Sequence, residues 1–170
     1  MAFSNVALGG ISIIFREDRC MFCRACELAC AVSGSRSKTL HTAIGESPPP
    51  LKRLRVSRRS SEDVIIQNRC NQCTEAACIS VCRFDAITRD PVTRVVQIDE
   101  KKCRACMLCV KACGKEVLTI IRRKGLTPIV VKCNYCAELK TGPECVRACP
   151  TNALVIGLSS LRVLKKAAGE

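Results

Sequence analysis

The sequence is poor in the large aromatic side chains that usually fill a protein core. Among its 170 residues are four Phe, one Tyr and no Trp, and there is a single His. A chain of this length buries only a modest core, which here lacks its bulkiest packing groups. Something other than aromatic packing must therefore hold the fold together.

Long apolar runs are also absent. No stretch approaches the roughly 18 to 20 apolar residues that a membrane helix needs, and the tail NALVIGLSSLRVLKK is short and ends in charge. The N-terminus lacks the basic start, sustained apolar run and small-residue cleavage site of a secretory signal. We therefore expect a cytoplasmic protein without membrane insertion, in which thiols would not persist as disulfides.

What the sequence has in quantity is cysteine. The 16 cysteines fall into four quartets with none left over, and the first and third quartets share one spacing. The quartets are Cys20, Cys23, Cys26 and Cys30; Cys70, Cys73, Cys78 and Cys82; Cys103, Cys106, Cys109 and Cys113; and Cys133, Cys136, Cys145 and Cys149, the last followed by Pro150.

The flanks of the quartets form an internal repeat. Three quartets continue as CRFDAIT, CGKEVLTI and CPTNALVI, each a turn followed by small and branched apolar residues, whereas the first continues as AVSGS. The β-prone runs RVS, VIIQ, TRVVQID, VLTII and PIVVK lie between quartets. Each quartet is predicted to be a cysteine loop and a short helical turn that begins at the fourth cysteine, joined to the next by a strand or hairpin.

The spacing indicates iron–sulfur chemistry. Three thiolates from one tight loop can hold three corners of a compact cube, and in two-cluster bacterial ferredoxins the fourth cysteine ligates the other cluster. Quartets should therefore work in pairs. Zinc ribbons instead use two separated C-x2-C knuckles for each ion. Only the longer gaps of the second and fourth quartets leave room for that alternative, and the sequence predicts four 4Fe-4S clusters on sixteen cysteines. His41 is then expected to be exposed or packed, not a ligand.

The clusters change the charge and the stability expected of the chain. Its formal charge is +13, but a cluster with four thiolates carries about −2, so four clusters bring the total to about +5. Arg24, Arg104 and Lys132, in or beside the ligand loops, are interpreted as charge compensation. Because ligation contributes free energy of folding, we expect loss of iron to unfold or precipitate the protein.

The basic run LKRLRVSRR precedes the second quartet. A nucleic-acid site would need stacking aromatics or a recognition helix, and neither is present. The run is either a docking surface for an acidic subunit or a solvated hairpin. The candidate docking residues are Lys52, Arg53, Arg55, Arg58 and Arg59.

The quartets CxxCxxCxxxC, CxxCx4CxxxC, CxxCxxCxxxC and CxxCx8CxxxCP resemble those of four-cluster ferredoxin-like electron-transfer subunits of modular oxidoreductases. That group includes the small subunits of formate dehydrogenases, formate-linked hydrogenases, carbon monoxide dehydrogenases, dimethyl sulfoxide reductase and tungsten aldehyde oxidoreductases. The resemblance spans about Asp18 to Ile156 and implies an α+β fold with short helices and small antiparallel hairpins. Two bacterial ferredoxin-like halves, each with two 4Fe-4S clusters, are implied, with 51–124 inserted between 1–50 and 125–170.

The resemblance also implies crossed ligand sets, with quartet one paired to four and quartet two to three. Members commonly carry Pro where this chain has Ala31, Arg83, Gly114 and Ala77, so cluster potentials cannot be transferred from them. The implied sets are Cys20, Cys23, Cys26 with Cys149; Cys133, Cys136, Cys145 with Cys30; Cys70, Cys73, Cys78 with Cys113; and Cys103, Cys106, Cys109 with Cys82.

The function implied is a non-catalytic relay between a catalytic subunit and a second redox subunit. A tungsten or molybdenum pterin enzyme, of the aldehyde oxidoreductase or formate dehydrogenase type, ranks above a hydrogenase or carbon monoxide dehydrogenase as the catalytic partner. A flavin subunit exchanging electrons with NAD is the expected far end. The alternatives are a freely diffusing polyferredoxin and a zinc-dependent nucleic-acid module. Copies of an elongated relay could also stack head to tail into a filament.

Overall fold

Short helices and short strands alternate along the chain. The computed structural model describes residues 11–59, 64–122, 125 and 127–158. In chain order the elements are β1 (Ile11–Phe15), a 3-10 helix (Glu17–Arg19), α1 (Ala25–Gly34), α2 (Leu40–Ala43), β2 (Leu54–Arg59), β3 (Val64–Arg69), α3 (Ala77–Ser80), β4 (Ile87–Arg89), β5 (Val96–Ile98), α4 (Leu108–Ala112), β6 (Thr119–Ile121), β7 (Ile129–Val131), α5 (Glu144–Arg147) and β8 (Leu154–Leu158).

In the described part of the chain the strands form four two-stranded antiparallel sheets. The pairs β2–β3, β4–β5 and β6–β7 join strands that are neighbours in sequence, and they include all the β-prone runs between quartets. The fourth pair joins the first and last strands of the described chain, with Ile13 of β1 opposite Ile156 of β8. The predicted α+β fold with short helices and antiparallel hairpins is therefore confirmed.

Contacts between elements follow the quartets. α1 of quartet one packs against α5 of quartet four, and β1 pairs with β8 beside them. α3 of quartet two packs against α4 of quartet three. The β2–β3 hairpin packs on α1, and its Leu54 and Val56 share a core with Ile13 and Leu154.

The helices begin earlier than predicted. Each cysteine-bearing helix starts one residue before the third cysteine of its quartet, as at Ala25 before Cys26 and Ala77 before Cys78. The prediction that the turn starts at the fourth cysteine is wrong. The fourth cysteine lies four residues after the third: within the helix in quartet one, where the rise is about 6 Å, and just past the helix end in the other three. The two thiols of each pair can therefore serve neighbouring sites.

The helices and hairpins enclose two hydrophobic cores, and both cores contain cysteine. One gathers β1, β2, β3 and β8 around Cys30, Cys70, Cys133 and Cys145, with Tyr135 as its only aromatic among fully buried residues. The other lies around Cys103 and Cys109, with Ile87, Val96 and Val130. Thiols occupy the space that aromatic side chains fill in other small proteins.

One buried carboxylate fixes the β2–β3 hairpin to α1. Glu27 accepts a hydrogen bond from the Val56 amide at 2.7 Å and another from the Lys52 ammonium. Burial works to raise the pKa of this carboxyl, but those donors outweigh it and leave the pKa lowered. No helix in the described residues has the length and hydrophobicity to span a bilayer.

Candidate iron–sulfur centres

All four cysteine loops share one backbone turn. The second residue after the first cysteine has a positive φ in every quartet: 57° at Phe22, 53° at Gln72, 49° at Ala105 and 55° at Tyr135. None is glycine, and an L-residue pays roughly 1–2 kcal/mol for this conformation. Strain of this kind collects at functional sites, where the surrounding structure enforces it. The repeated turn curls each loop so that its thiols converge.

A second left-handed residue marks the turn after quartets two, three and four. Asp85, Glu116 and Asn152 each lie three residues after the fourth cysteine, with φ between 47° and 52°. Each turn leads into a strand, namely β4, β6 and β8. After quartet one the chain stays helical to Gly34, so the exceptional AVSGS flank corresponds to a longer helix in place of the turn.

Two cavities are lined by cysteines from different quartets. One contains Cys20, Cys23 and Cys26 of quartet one together with Cys149 of quartet four. The other contains Cys103, Cys106 and Cys109 of quartet three together with Cys82 of quartet two. In both, three thiols come from one loop and the fourth comes from the helix end of another quartet.

The remaining thiols fall into two further neighbourhoods. Burial raises the pKa of Cys145, and the nearby Cys133, Cys30 and Cys136 raise it further. Burial likewise raises the pKa of Cys78, where Cys70 and Cys113 add to the effect. Each neighbourhood again combines one loop with the fourth cysteine of another quartet.

Burial in this fold favours the protonated form of most of the affected thiols. Burial raises the pKa to about 11 at Cys26 and Cys109 and to about 12 at Cys133. Cys149 is the exception: burial raises its pKa, but hydrogen bonds from the Leu154, Thr151 and Ala153 region outweigh burial and lower it. Since only thiolates ligate metal, filling these sites must release protons.

Arg53 contacts both a cysteine sulfur and the loop of quartet four. Its amide donates to the Cys30 sulfur at 3.1 Å, and its guanidinium donates to the Asn134 side chain at 3.1 Å. Hydrogen bonds to ligand sulfurs are among the features that set cluster potentials. Arg53 therefore connects β2 with the loop of quartet four.

The donor set fits a cube of iron and sulfide better than it fits a single ion. All sixteen cysteines are free thiols. Among the described residues, no three His, Cys, Asp or Glu side chains form a group that could hold one metal ion. A four-iron cube is larger than an ion, so its ligands must lie farther apart. Groups of four thiols, three of them from one strained loop, suit that geometry.

A basic cleft lies beside quartet one. This cavity of about 520 Å³ is lined by five cationic residues and by one acid, Glu27, which is already paired with Lys52. The five cations are Arg24, Lys52, Arg55, Arg69 and Lys115. Sequence reasoning missed Lys115 and the role of Arg24 here, because residues this far apart in the chain carry no local signal of being neighbours.

The predicted docking residues lie in different surroundings. Lys52 and Arg55 line the basic cleft. The Arg58 guanidinium lies over the Phe22 ring, 5.6 Å from its centroid. The side chain of Arg59 is outside the described residues. His41 is exposed on α2, as predicted.

Comparison with known proteins supports the iron–sulfur interpretation. The sequence model of a family described as "4Fe-4S dicluster domain" matches residues 62–159. The thiosulfate reductase electron transfer subunit PhsB of Salmonella typhi is 32% identical over 153 residues, covering 83% of this chain and 72% of the relative. The electron transport protein HydN of Escherichia coli (strain K12) is 32% identical over 155 residues, covering 84% and 85%. An iron-sulfur protein of Rhodospirillum rubrum is 31% identical over 166 residues, covering 90% and 85%.

Proposed function

The chain belongs to the family of 4Fe-4S dicluster domain proteins, and we propose that it is a non-catalytic electron-transfer subunit carrying four 4Fe-4S clusters. One observation carries the proposal. Fifteen of the sixteen cysteines lie in four groups, each combining thiols of one quartet with the fourth cysteine of another. The sixteenth, Cys73, belongs by sequence to the quartet of Cys70 and Cys78. The matched family region covers quartets two to four, and the thiols of quartet one extend the same pattern.

The proposed ligand sets are crossed between quartets. The two shared cavities and the two electrostatic neighbourhoods support them. The proposed sets are Cys20, Cys23, Cys26 and Cys149; Cys133, Cys136, Cys145 and Cys30; Cys70, Cys73, Cys78 and Cys113; and Cys103, Cys106, Cys109 and Cys82.

We also propose that the chain folds as two ferredoxin-like halves, with the 51–124 half inserted between 1–50 and 125–170. The packing of α1 on α5 and of α3 on α4 supports this arrangement. The Cys133 and Cys70 sets then lie where the halves meet, because burial and the charge of Cys70 both act on the Cys133 thiol. The halves would give a continuous relay of four sites.

The residues of this chain have three tasks in such a relay. A bound 4Fe-4S cluster supplies one-electron redox chemistry. The thiolates hold and space the sites, backbone amides such as that of Arg53 donate to the sulfurs, and the apolar cores keep water away. Buried and cleft cations offset the negative charge that ligation brings into the fold.

The basic cleft is the proposed docking site for an acidic segment of a partner subunit. Arg55 and Lys115 have no side-chain hydrogen bond or ion pair within the described residues, so their charge is available to a partner. Arg24 lies in the quartet-one loop between Cys23 and Cys26, which places a docked partner next to that thiol set. Charge complementarity of this kind speeds association and fixes orientation.

Reversing the charge of the cleft is expected to weaken docking. The double variant R55E/K115E should bind the co-purifying partner roughly tenfold more weakly at low salt, and the difference should shrink as salt screens the charges. Surface plasmon resonance at two salt concentrations measures both effects. The control is K140E, a reversal at an exposed lysine outside the cleft. Equal losses in R55E/K115E and K140E would place the docking surface elsewhere.

The proposed partner is a catalytic oxidoreductase subunit, with a tungsten or molybdenum pterin enzyme favoured and a flavin subunit linked to NAD at the other end. The names of PhsB and HydN, an electron transfer subunit and an electron transport protein, support a subunit role. The pterin preference comes from the four-quartet resemblance. A cytoplasmic location and head-to-tail filaments belong to the same proposal. A freely diffusing polyferredoxin is the alternative.

Anaerobic affinity purification of the chain from its host tests the function. We expect about sixteen irons per chain, from four clusters of four, and a larger subunit containing tungsten or molybdenum. Sixteen irons without a partner would favour the diffusing polyferredoxin. Zinc in place of iron would overturn the proposal.

A further inference from the structure

Arg69 is a buried cation whose hydrogen-bond acceptors are all neutral. Only 4% of the residue is exposed. Its guanidinium donates to the backbone oxygens of Ile13 and Cys70 and to the side chains of Tyr135 and Gln67. It makes no ion pair among the described residues, although arginine remains charged in any protein environment. Within the part of the chain that the structure describes, a permanent charge is therefore enclosed here without a hydrogen-bonded carboxylate.

The surroundings of this charge are thiols. Arg69 directly precedes Cys70, and its guanidinium lies 5.9 Å from the centre of the Tyr135 ring, between Cys133 and Cys136 in sequence. The side chain thus reaches from the start of quartet two into the loop of quartet four.

A buried charge is costly unless an opposite charge compensates it. Among the described residues, one carboxylate, Glu27, lines the same cleft as Arg69, but it is already paired with Lys52. The thiols of these two quartets are the groups that can add further negative charge around the guanidinium. Filling them adds negative charge on both sides of the guanidinium. The positive charge of Arg69 is then compensated by negative charge at the thiol sites around it.

The same sequence position holds a cation in every quartet, but its burial differs. Arg19, Arg69, Lys102 and Lys132 each precede the first cysteine of a quartet. Arg19 and Lys102 are exposed, whereas Arg69 and Lys132 are buried, and Lys132 donates to the backbone oxygens of Val96 and Cys133. Water screens the exposed charges, and a charge in the interior acts much more strongly.

We propose that Arg69 is a tuning residue that raises the reduction potentials of the two middle sites of the relay, those held by the Cys133 and Cys70 sets. This inference rests on the proposed function. Reduction adds one electron to a site, with no bond formed or broken, and so makes the site more negative. A fixed buried cation stabilises that state over the oxidised one. Electrons entering at either end would then settle at the junction of the two halves.

An EPR-monitored redox titration of the anaerobic, cluster-loaded protein tests this inference. In R69M the equilibrium constant for reducing a middle site should fall at least tenfold, which is 59 mV for a one-electron couple. R69K keeps the charge and should stay within about threefold of the wild type. R19M removes the exposed cation at the matching position of quartet one and should shift no potential by more than twofold. Unchanged potentials in R69M, or equal shifts in R69M and R69K, would overturn the proposal.

A second variant keeps the test decisive if R69M does not take up iron. Gln67 accepts from the Arg69 guanidinium at 3.1 Å, so Q67E keeps the shape and the hydrogen bond while neutralising the cation in place. The same middle site should again become at least tenfold harder to reduce, and an unchanged titration of Q67E would overturn the proposal. The iron content of the wild type distinguishes failure of the proposed function from failure of this inference. Zinc or no iron would overturn the proposed function. Four intact clusters with unshifted potentials in the variants would overturn only the role of Arg69.

Discussion

Loss of iron is expected to unfold the whole chain and not merely to empty its sites. The cysteine-bearing helices outside quartet one are only four or five residues long, and isolated helices below about 12–15 residues are marginal in water. The sheets have two strands each in the described part of the chain, and a lone two-stranded hairpin is also marginal. Neither type of element supports itself.

The cores do not replace the missing support. Both include buried cysteines among a small number of aliphatic side chains. Without metal, the left-handed loop residues keep their strain and Arg69 keeps an uncompensated buried charge. Structural metal sites supply on the order of 10 kcal/mol to folding, comparable with the total stability of about 5–15 kcal/mol of a small domain. The metal-free chain should therefore fall below the threshold of a stable fold.

Circular dichroism and limited proteolysis during anaerobic iron chelation measure this effect. Ellipticity and protease resistance should be lost together as iron leaves, and should return on reconstitution with iron and sulfide. The matched control is the same chelator with excess ferrous iron present. A metal-free protein that kept the native spectrum and a cooperative thermal transition would contradict the prediction.

The candidate ligand residues can be predicted from the sequence because the spacing that 4Fe-4S clusters require is local. Three thiols must come from a loop of a few residues, so their spacing carries the chemistry directly, as in Cys103, Cys106 and Cys109. The hairpins can be predicted for the same reason, since β-prone runs such as those of β2 and β3 lie close together in the chain. Local constraints leave local signals.

Long-range features could not be read in the same way. The pairing of β1 with β8 joins the ends of the described chain, and the sequence of neither strand indicates which strand it pairs with. The basic run around Arg53 predicts a docking role, but gives no sign that the Arg53 amide donates to the Cys30 sulfur. The cysteine spacing likewise does not show at which residue each helix begins. Strand pairing, the contacts of Arg53 and the helix boundaries all depend on which residues are buried, and burial depends on the whole fold.

Burial also separates residues that look equivalent in the sequence. Arg19 and Arg69 both precede the first cysteine of a quartet, but one is solvated and the other is enclosed between thiol sets. Similarly, the flank of quartet one extends a helix where the other three flanks turn into a strand. A repeat in sequence thus becomes four sites with different electrostatic surroundings, which a relay needs if its sites are to differ in potential.

Pairs of cysteine substitutions are expected to show whether the ligand sets are crossed. If Cys30 and Cys133 serve one cluster, then C30A and C133A each destroy that cluster, and C30A/C133A loses no more iron than either single variant, about four per chain. If Cys20 serves another cluster, C30A/C20A should lose the sum of the two single losses, about eight irons. Non-additivity identifies groups that act as one unit.

The matched control is C20A/C149A, which joins two quartets that are distant in sequence. The cavity shared by Cys20 and Cys149 predicts one lost cluster for this pair, whereas assignment by sequence quartet predicts two. Iron analysis and EPR spin quantitation, made on freshly reconstituted protein, distinguish the outcomes without any partner or substrate. Loss of one cluster in C30A/C20A and two in C20A/C149A would mean that each quartet binds its own cluster, and the helices that join the quartets would then have only a structural role.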